Sequence, residues 1–591
     1  MNSVRIYLAC GILMLVSGMI LVNAPAHFSA FGTMYEPDAF YGSGNLYLTA
    51  DASVAWTILL LSLAVILGIA TNGNTHLDVD RLLHAAGSRF PWIVCGLIFL
   101  VAQLVSIFVF DRHPRDVDHV ARLFQAKMFA SGQLTLEAPP LPEFFSVFAV
   151  LVHEGELFSK YAPGGALFFA IPEFLFGTSL NINPLLGSIS AGLFYLAFLN
   201  WFDERTARLT LIFAALSPWF LFTIASFHSH VPALFLFSVI LYLFSRVGDQ
   251  QGYCRELVLA GLAGGIFVMT RELTSVLICF PLVLGLLVSS PKLIPVRVAA
   301  LATGVLVPLC MLLGYNYRLT GDAMLFPHLL ADPNQVPWFG YKGHTLEKGF
   351  AHVFESLRLM NVNMLGWPIS FLFLPFLLLQ RSSVSLVLFL CFLWLVFGYF
   401  ANYWNDYSLG VRYYFEATPV LFLLAALGFW QLYDRVGESV VFNRTTQFWI
   451  VIVFYSFSAF VYVPKILPLY ANHYNGNVYT RVDDYARSLP ELGALIFCSD
   501  AGGENGGYSA GFLANPLNLA ELSRKARDGN IKLERPIFAR DLGERNTELM
   551  ALFPELAYYR YRFDPQNDSG EFFPLAHDGT ESGPSIRIAK D

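Results

Sequence analysis

The sequence predicts a polytopic α-helical membrane protein that ends in a small soluble α/β domain. Of its 591 residues, 55% are hydrophobic and only 14% are charged, and the mean hydropathy is +0.54. Long apolar runs recur up to about residue 463 and are then replaced by a more polar tail. This composition is typical of chains that cross a bilayer many times. The net charge of −7 gives no basis for a nucleic-acid partner.

The apolar runs predict about thirteen membrane-spanning helices. A run such as 92–110 has no charged residue, and at 1.5 Å per residue it crosses a hydrocarbon core of roughly 30 Å. The first two spans form an N-terminal unit, 1–90, and the others belong to a second unit, 91–463. The predicted spans are 5–23, 53–71, 91–110, 184–202, 209–226, 231–246, 257–270, 273–289, 298–315, 364–380, 383–400, 413–431 and 447–463.

Basic residues assign the two faces of this bundle. With the N-terminus inside, nearly every short loop predicted on the cytoplasmic side carries Arg or Lys, whereas the outer loops 24–52 and 227–230 carry none. This orientation places the loop 111–183, the loop after Asn316 and the C-terminal tail on the outer side of the cytoplasmic membrane. The basic residues of the inner loops are Arg81, Arg89, Arg205, Arg208, Arg255, Lys292, Arg297, Arg381, Arg435 and Arg444.

Two segments leave alternatives open. Residues 6–24 also resemble a signal peptide, but Arg5 is the only charge before the apolar run. Residues 164–176 are apolar but short. Their Pro172 and Glu173 favour a helix that lies at the membrane interface over a further span.

From about Lys465 the sequence predicts a soluble α/β domain, assigned to residues 464–591. The glycine cluster 501–507 is not followed by Gly-Lys-Ser/Thr, so it predicts a flexible turn rather than a phosphate loop. The seven cysteines form no CxxC motif and no Cys/His cluster, which indicates small core residues rather than disulfides or a zinc site. Strands are predicted at 494–497, 536–539 and 556–561, and helices at 518–527 and 546–553.

Ionisable side chains crowd into residues 111–127, directly after a predicted span. Asp118 heads a helix-like stretch whose apolar stripe would lie on the membrane surface. A carboxylate at or near the start of such a helix is ionised and held in place, which suits a general base toward a hydroxyl group. Asp116 is the second candidate for a catalytic carboxylate. The alternative is that these carboxylates only make an exposed loop soluble.

Three cations on the same predicted face are candidate ligands for a lipid phosphate. Lys160 precedes a Pro-Gly turn that would fix its backbone. The alternative interpretation is that Lys160 is an ordinary lysine whose charge lies at the level of the lipid headgroups. Arg271 interrupts an apolar stretch that is too long for one span, so two spans meet there at the outer face. Its alternative is an ion pair with Glu272. Arg412 follows another span on this side and is the third cation.

Polar and aromatic residues near these cations are candidate substrate contacts. His228 and His230 are two residues apart and do not share a helix face, so they are a weak metal signal, and His230 is taken as a hydrogen-bonding residue. Interfacial aromatic belts explain most aromatic residues after residue 402, although aromatic faces also stack on sugars. The substrate-binding candidates are Tyr161, His230, Asn316 and Tyr413. A divalent metal is a further candidate, although the carboxylates could act without one.

The order of several short motifs resembles the GT-C membrane glycosyltransferases, which include protein O-mannosyltransferases and the bacterial lipid A aminoarabinose transferase. The resemblance covers roughly residues 90–430, with a weaker echo in the tail. The stretches that carry it are Asp118-His119, Gln125-Ala126-Lys127 with Phe129, Ala130 and Gly132, Pro142-Glu143-Phe144-Phe145, Ser159-Lys160-Tyr161 with Pro163-Gly164, Ser229-His230 with Pro232-Ala233, Gly410 with Arg412-Tyr413, Ser509-Ala510-Gly511-Phe512 and Phe538-Ala539-Arg540-Asp541.

The resemblance implies a sugar donor linked to a polyprenyl phosphate, a catalytic aspartate in the loop after residue 110, and usually inversion at the anomeric carbon. Carried over by position, Asp118 is the general base and Lys160 contacts the phosphate. Two departures matter. His119 stands where many relatives have Glu, so any second carboxylate role would pass to Asp116. The motif at Lys160 also differs, because it reads Lys-Tyr-Ala-Pro-Gly where better-known members have Lys-Pro-Pro.

The function expected from these observations is the transfer of a hexosyl or pentosyl group from a polyprenyl-phosphate donor to a hydroxyl of a glycan, lipid or protein. A transporter or flippase of lipid-linked sugars is one alternative, but most predicted spans have uncharged centres. A non-enzymatic membrane scaffold, with the tail as its binding domain, is another. For a scaffold, deletion of 480–591 would remove function whereas Asp118 would be dispensable.

Overall fold

The computed structural model of the chain describes residues 2–23, 28–30, 46–48, 50–71, 79–85, 87–177, 181–247, 254–336, 338–379, 382–402, 409–435, 443–471, 482–489, 493–498, 508–527, 533, 535–564 and 569–589. These residues form a bundle of helices, and a three-stranded and a five-stranded sheet share one hydrophobic core beside it. The glycine cluster 501–507, for which a flexible turn is expected, lies outside the described residues.

Helices dominate the described part of the chain up to residue 471. Two short strands, β1 (Phe28–Ala30) and β2 (Leu46–Leu48), pair antiparallel between the first two helices. The helices are α1 (Asn2–Asn23), α2 (Ala50–Thr71), α3 (Val79–Ala85), α4 (Phe90–Phe108), α5 (Val117–Ala130), α6 (Pro163–Phe176), α7 (Asn183–Trp201), α8 (Glu204–Ala215), α9 (Pro218–Ala225), α10 (His230–Ser245), α11 (Cys254–Thr270), α12 (Glu272–Ser289), α13 (Ile294–Thr320), α14 (His328–Ala331), α15 (Leu346–Asn363), α16 (Ser383–Phe400), α17 (Thr418–Arg435), α18 (Arg444–Phe457) and α19 (Val463–Ala471). Shorter helical turns occupy Pro142–Phe145, Pro291–Leu293, Tyr341–Gly343, Ser370–Leu379, Arg412–Ala417 and Ser458–Tyr462.

Eight of the described helical segments are long and apolar enough to cross a bilayer, or nine if the bent pair α8 and α9 is one span. The predicted helical membrane bundle is confirmed, but the count of thirteen spans is not. The predicted span 209–226 is broken because Ser217 caps a new helix at Pro218, which has no N–H to continue the previous turn, and the halves meet at 62°. The predicted span 364–380 contains the tighter 3-10 stretch Ser370–Leu379, with a proline inside.

Helix α6 is the short apolar segment expected at the membrane interface. Its 14 residues are too few to cross a bilayer, and its last turn exposes Phe174 and Phe176. Gly164 lets its first turn approach α11, since a Cβ there would lie 2.7 Å from the Met269 carbonyl carbon. The start of α6 is therefore fixed against the bundle while its end faces outward.

The loop between α5 and α6 contains a small antiparallel sheet that the sequence does not predict. Its strands are β3 (Leu136–Glu137), β4 (Val150–His153) and β5 (Glu156–Ser159), in the order β3-β5-β4. The last strand, β5, leads directly into Lys160.

The tail folds around a five-stranded sheet with the order β10-β9-β8-β6-β7. The predicted strands and helices are present, with ends shifted by up to three residues. Strands β9 and β10 lie toward one edge and pair antiparallel. Polar and small residues interrupt their sequences, so they lack the continuous apolar run that marks β6. The elements are α20 (Val482–Ala486), β6 (Ala494–Cys498), α21 (Tyr508–Ala514), α22 (Leu519–Arg527), β7 (Ile537–Arg540), α23 (Asn546–Met550), β8 (Ala557–Asp564), β9 (Ser569–Leu575) and β10 (Ile586–Ala589).

Two large hydrophobic cores organise these parts. One lies inside the helix bundle. The second is shared, because Phe124 of α5 and Phe144 of the following loop belong to the same buried cluster as Phe497 of β6 and Phe538 of β7. The loop after α4 and the C-terminal sheet therefore pack against each other at one end of the bundle.

Candidate active site

Helix α5 begins at the carboxylates that the sequence singles out. Asp116 is the N-cap of α5, and its Oδ1 accepts a hydrogen bond from the backbone N–H of Asp118 at 3.0 Å. Such a cap satisfies one of the N–H groups that a helix start leaves without a partner. Asp118 therefore lies in the first turn, where the positive end of the helix dipole stabilises its charge.

Arg412 holds both carboxylates with one guanidinium group. Its Nη1 lies 2.8 Å from Oδ2 of Asp116, and its Nη2 lies 3.2 Å from Oδ2 of Asp118. The side chain comes from the turn that leads into α17, so the pair with Asp116 joins residues 296 positions apart. Arg412 is 4% exposed, so water does not screen these contacts. The sequence predicts Arg412 as a phosphate ligand, and the structure gives it carboxylate partners.

Tyr161 and Arg122 complete the surroundings of Asp118. The Tyr161 hydroxyl donates to Oδ1 of Asp118, and the Arg122 guanidinium lies 4.0 Å from the centroid of the Tyr161 ring. Arg122 also donates through Nη1 to the carbonyl oxygen of Asp118 at 3.3 Å. Arg122 is not among the predicted site residues, although it follows Asp118 by four residues, a spacing that places two helical side chains on one face.

Gln125 fixes the position of Tyr161. Its Nε2 donates to the Tyr161 carbonyl oxygen at 3.0 Å and to the Tyr315 hydroxyl oxygen at 2.8 Å. Asn316, the predicted substrate contact, is buried in α13 and donates to the carbonyl oxygen of Ala323 in its own loop. Its neighbour Tyr315 is the residue of α13 that joins the hydrogen bonds around the site.

The charges around Asp118 keep its carboxyl group ionised. Burial alone would raise the pKa of Asp118, but Arg412, Arg122, the hydrogen bond from Tyr161 and the charge of Lys160 together hold that pKa well below its usual range. Burial and the charge of Asp118 raise the pKa of Tyr161 well above its usual value. Tyr161 therefore stays protonated at neutral pH and can donate to the carboxylate.

Lys160 lies at the rim of this group and is half-buried. Its backbone N–H donates to the carbonyl oxygen of Ala149 at 2.9 Å, which fixes the chain beyond β5. Its ammonium lies 4.2 Å from the ring centroid of Phe148 and 5.5 Å from that of Tyr161. Burial lowers the pKa of Lys160, and the charge of Asp118 acts in the opposite direction. In the described part of the chain, no carboxylate forms an ion pair with Lys160.

A second buried cluster surrounds Glu416, which is fully buried. Its Oε1 lies 3.0 Å from Nδ1 of His230 and 3.5 Å from Nε of Arg271. The Tyr413 ring connects this cluster to the first, since its centroid lies 5.2 Å from the guanidinium carbon of Arg271 and 5.6 Å from that of Arg412. The structure thus gathers three predicted site residues, Arg271, His230 and Tyr413, around one carboxylate.

Glu416 is not among the predicted site residues. It is the only acidic residue in the predicted span 413–431, and an ionisable residue inside a predicted span is a signal of function. Arg271 finds its carboxylate partner in Glu416, whereas the sequence offers the adjacent Glu272. A partner 145 positions away in the chain leaves no trace in local spacing.

Two histidines connect α5 to the start of α10. The backbone N–H of Arg115 donates to Nδ1 of His119 at 3.2 Å, and Nε2 of His119 lies 2.9 Å from Nδ1 of His228. Because a backbone N–H can only donate, His119 carries its proton on Nε2 and donates it to His228.

Asp116, His119 and His228 each offer a ligand atom within 4.8 Å of the others, and we call them the three-residue metal group. The atoms of this group are already engaged. Asp116 pairs with the cation of Arg412, and the proton on Nε2 of His119 occupies that nitrogen. The group therefore does not fit a divalent cation in its present hydrogen-bonding arrangement.

No protein-family model matches the sequence, and neither does any curated protein. Among solved structures, the chain is similar to ArnT from Cupriavidus metallidurans bound to undecaprenyl phosphate, with a TM-score of 0.52, 14% identity, and coverage of 80% of this chain and 94% of ArnT. The apo state of the same ArnT gives a TM-score of 0.52, 15% identity, and coverage of 80% and 93%. The oligosaccharyltransferase of Archaeoglobus fulgidus in its apo form matches with a TM-score of 0.38 and 12% identity, covering 81% of this chain and 70% of that chain.

The match to ArnT covers four fifths of this chain and almost the whole of the ArnT chain. It confirms, at the level of fold, the resemblance that the order of the sequence motifs indicates. The chain therefore has the GT-C fold, which it shares with ArnT.

Proposed function

We propose that the chain is a glycosyltransferase that moves a sugar from a polyprenyl-phosphate donor to a hydroxyl group of a glycan, lipid or protein. The observation that carries this proposal is the ionised Asp118, bound by Arg412 and Tyr161 and adjacent to Arg122 and Lys160. A fixed carboxylate beside several cations offers a proton acceptor and a phosphate site in one place. The fold shared with ArnT, seen with undecaprenyl phosphate bound, supports the same class of donor.

In the proposed reaction, Asp118 accepts the proton of the acceptor hydroxyl while that oxygen attacks the anomeric carbon of the sugar. A bond forms between the hydroxyl oxygen and the anomeric carbon. The bond between the anomeric carbon and the phosphate oxygen breaks, and its electron pair leaves with the polyprenyl phosphate. Attack from the side opposite the phosphate inverts the anomeric centre, as the family resemblance implies. A positioned base of this kind contributes about 10² to 10⁴ in rate.

The cations also explain how a carboxylate with a lowered pKa can act as a base. A base with a low pKa removes a proton poorly. When the donor phosphate approaches Arg412, Arg122 and Lys160, its negative charge competes with Asp118 for them. The pKa of Asp118 then rises toward the range that a general base needs. Donor binding therefore activates the carboxylate.

The phosphate first meets Lys160, whose ammonium contacts aromatic rings. Arg271 and Arg412 already pair with carboxylates, so they bind the phosphate by sharing or exchanging those partners. Asp116 keeps Arg412 and the first turn of α5 in position, and it is the second carboxylate of the site.

Tyr161, His230 and Tyr413 are the proposed contacts for the sugar. Tyr161 contacts Asp118, His230 contacts Glu416, and the Tyr413 ring connects the two clusters. Their rings and polar atoms match the mixed surface of a sugar. Asn316 contributes through the loop that it stabilises.

The pattern of basic loops supports a place in the cytoplasmic membrane, with the site and the tail on the outer side. The proposed units are 1–90, 91–463 with its long first loop at 111–183, and 464–591. On this side, the donor headgroup reaches the site from the outer leaflet.

The proposal is tested with the purified chain in vesicles that contain a polyprenyl phosphate bearing a radiolabelled sugar, with membrane glycans, lipids and proteins supplied as acceptors. We expect label on an acceptor and release of unlabelled polyprenyl phosphate. Intact labelled donor that moves to the opposite leaflet would show a flippase instead. Neither transfer nor movement, with function in cells unaffected by Asp118→Asn, would indicate a scaffold.

A further inference from the structure

We propose that the C-terminal domain positions the catalytic carboxylate, with α21 acting as a fixed support for the face of α5 opposite Asp118. This inference rests on the proposed function, because it takes Asp118 as the base. Its positioning residues are Phe124 and Lys127 on α5, and Phe512 and Leu513 on α21.

Helix α5 presents different faces to different parts of the molecule. Asp118, Arg122 and Gln125 share one face, and all three contact Tyr161. Successive helical residues are rotated by about 100°, so Lys127 projects about 180° away from Asp118, and Phe124 lies nearby on that far side. The far side is buried in the core shared with the C-terminal sheet.

Two contacts join this far side to α21. Nζ of Lys127 donates to the carbonyl oxygen of Leu513 at 2.6 Å, and the ring centroids of Phe124 and Phe512 are 4.9 Å apart. Leu513 is the penultimate residue of α21, where a carbonyl has no partner within the helix. A lysine at that end both satisfies the carbonyl and complements the negative end of the helix dipole. Lys127 therefore caps α21 from α5.

Helix α21 is itself fixed to the sheet. A Cβ at Gly511 would lie 2.6 Å from Cβ of Phe538, so only glycine allows α21 to lie this close to β7. Asn515 donates through Nδ2 to the carbonyl oxygen of Phe538 at 2.9 Å and accepts the N–H of Phe538 at 2.8 Å. These bonds occupy the outer edge of β7, which is an edge strand. The two tail motifs of the sequence, 509–512 and 538–541, meet at this contact.

Further contacts surround this support. Arg540 donates to Oγ of Ser146 at 2.8 Å, and Arg524 pairs with Glu137 and Arg545 with Glu143. The ion pairs are between 39% and 62% exposed, so each contributes little stability. The buried contacts of α5 with α21 therefore carry the positional restraint.

The consequence for catalysis follows from the geometry at Asp118. Its carboxylate is held between Arg412, which belongs to the bundle, and Tyr161, which follows β5. Releasing the far side of α5 allows the helix to move relative to both partners. A misplacement of about 1 Å costs roughly 10²-fold in rate, while contacts to the donor made by other elements persist.

The test is the double variant Lys127→Met with Phe512→Ala in the full-length chain. We expect kcat to fall by about 10-fold or more, with KM for the donor nearly unchanged, because positioning acts on the reacting geometry rather than on donor binding. Polyprenyl phosphate, used as the binding probe, should still bind with the stoichiometry of the wild type. The conservative single variant Lys127→Arg, with Phe512 unchanged, keeps the hydrogen bond and should retain most of the wild-type kcat. Lys525→Met is the matched control, since Lys525 on α22 is 58% exposed and pairs with Glu521 of its own helix.

Two results would overturn the positioning role. One is a wild-type kcat in the double variant. The other is a fall in kcat matched by an equal loss of polyprenyl phosphate sites, which would show only a smaller folded fraction. The variant Asp118→Asn is assayed in parallel, and transfer at the wild-type rate by that variant would instead refute the proposed function.

Discussion

Replacing Arg412 by glutamine removes a cation that Asp116 and Asp118 share. Asp116 is 5% exposed, and the side chain of Asp118 is 15% exposed. A neutral, shorter side chain would leave both carboxylates close together and buried without their shared ion-pair partner. We expect two separate effects, one on stability and one on the pH dependence of the rate.

The effect on stability follows from the burial of the pair. Removing one partner of a buried ion pair costs about 3–5 kcal/mol, because it leaves an uncompensated charge in a medium of low polarity. The lowered pKa of Asp118 contributes stability that is present above the unfolded-state pKa and is lost as the pH falls through the folded-state pKa. Without Arg412 the folded-state pKa is higher, so this contribution becomes smaller.

The effect on the rate follows from the same pKa. An arginine beside an aspartate lowers the carboxyl pKa by about one to three units, so its removal should move the acidic limb of the rate profile to higher pH by about that amount. The sign is fixed because the base acts only when ionised, and activity is lost as the pH falls through the raised pKa.

The assay is the initial rate of label transfer from a polyprenyl-phosphate sugar across the acidic and neutral range, with chemical denaturation measured in parallel. Arg318→Gln is the matched control, because Arg318 pairs with Glu156 at 2.7 Å but is 51% exposed. Loss of that pair should cost about 0–1 kcal/mol and leave the acidic limb in place. If folded Arg412→Gln protein kept the wild-type acidic limb, protonation of Asp118 would not govern the rate and the reasoning would be refuted.

Three further predictions follow from the same geometry. Tyr161→Phe removes the hydroxyl that donates to Asp118. Because a hydrogen bond to a charged group is worth about 1.5–3 kcal/mol and this one lowers the pKa of Asp118, its loss should move the acidic limb of the rate profile to higher pH by about one to two units. An unchanged acidic limb would contradict this role. Glu416→Leu leaves Arg271 without its buried carboxylate partner, so the free energy of unfolding should fall by about 3–5 kcal/mol in chemical denaturation. Wild-type stability would show that the pair does not stabilise the fold. Removal of divalent cations by a chelator should leave the initial rate unchanged, because the ligand atoms of the three-residue metal group already pair with Arg412 or with each other. A loss of rate that one added cation restores would contradict this hydrogen-bonding arrangement.

The parts of the fold that were predictable are those that depend on local pattern. Apolar runs of membrane length and a polar tail suffice to predict a helix bundle with a soluble sheet domain, because burial in lipid demands long uncharged helices. The start of α5 was also predictable, since Asp116 is a residue type that caps helices. Strands β9 and β10 were not predictable, because polar and small residues interrupt their short apolar stretches.

The pairings of the site depend on tertiary contacts, and local pattern does not encode them. Arg271 and Arg412 are visible as charges beside spans, but their carboxylate partners lie 145 and 296 positions away. Arg122 and Glu416 belong to no motif, and their spacing or their place in a span was the signal that the sequence offered; their partners follow only from the packing. The sharing of one guanidinium by Asp116 and Asp118 is likewise a property of packing.

The most direct measurement of the central claim compares Asp118→Asn with Asp111→Asn, in rate of sugar transfer and in binding of polyprenyl phosphate. Asp111 lies in the same loop, is 36% exposed and pairs with Arg115 at 3.0 Å. We predict that Asp118→Asn lowers the transfer rate by about 10² to 10⁴ with binding retained, whereas Asp111→Asn transfers sugar at nearly the wild-type rate. Transfer by folded Asp118→Asn protein at the wild-type rate would contradict the account.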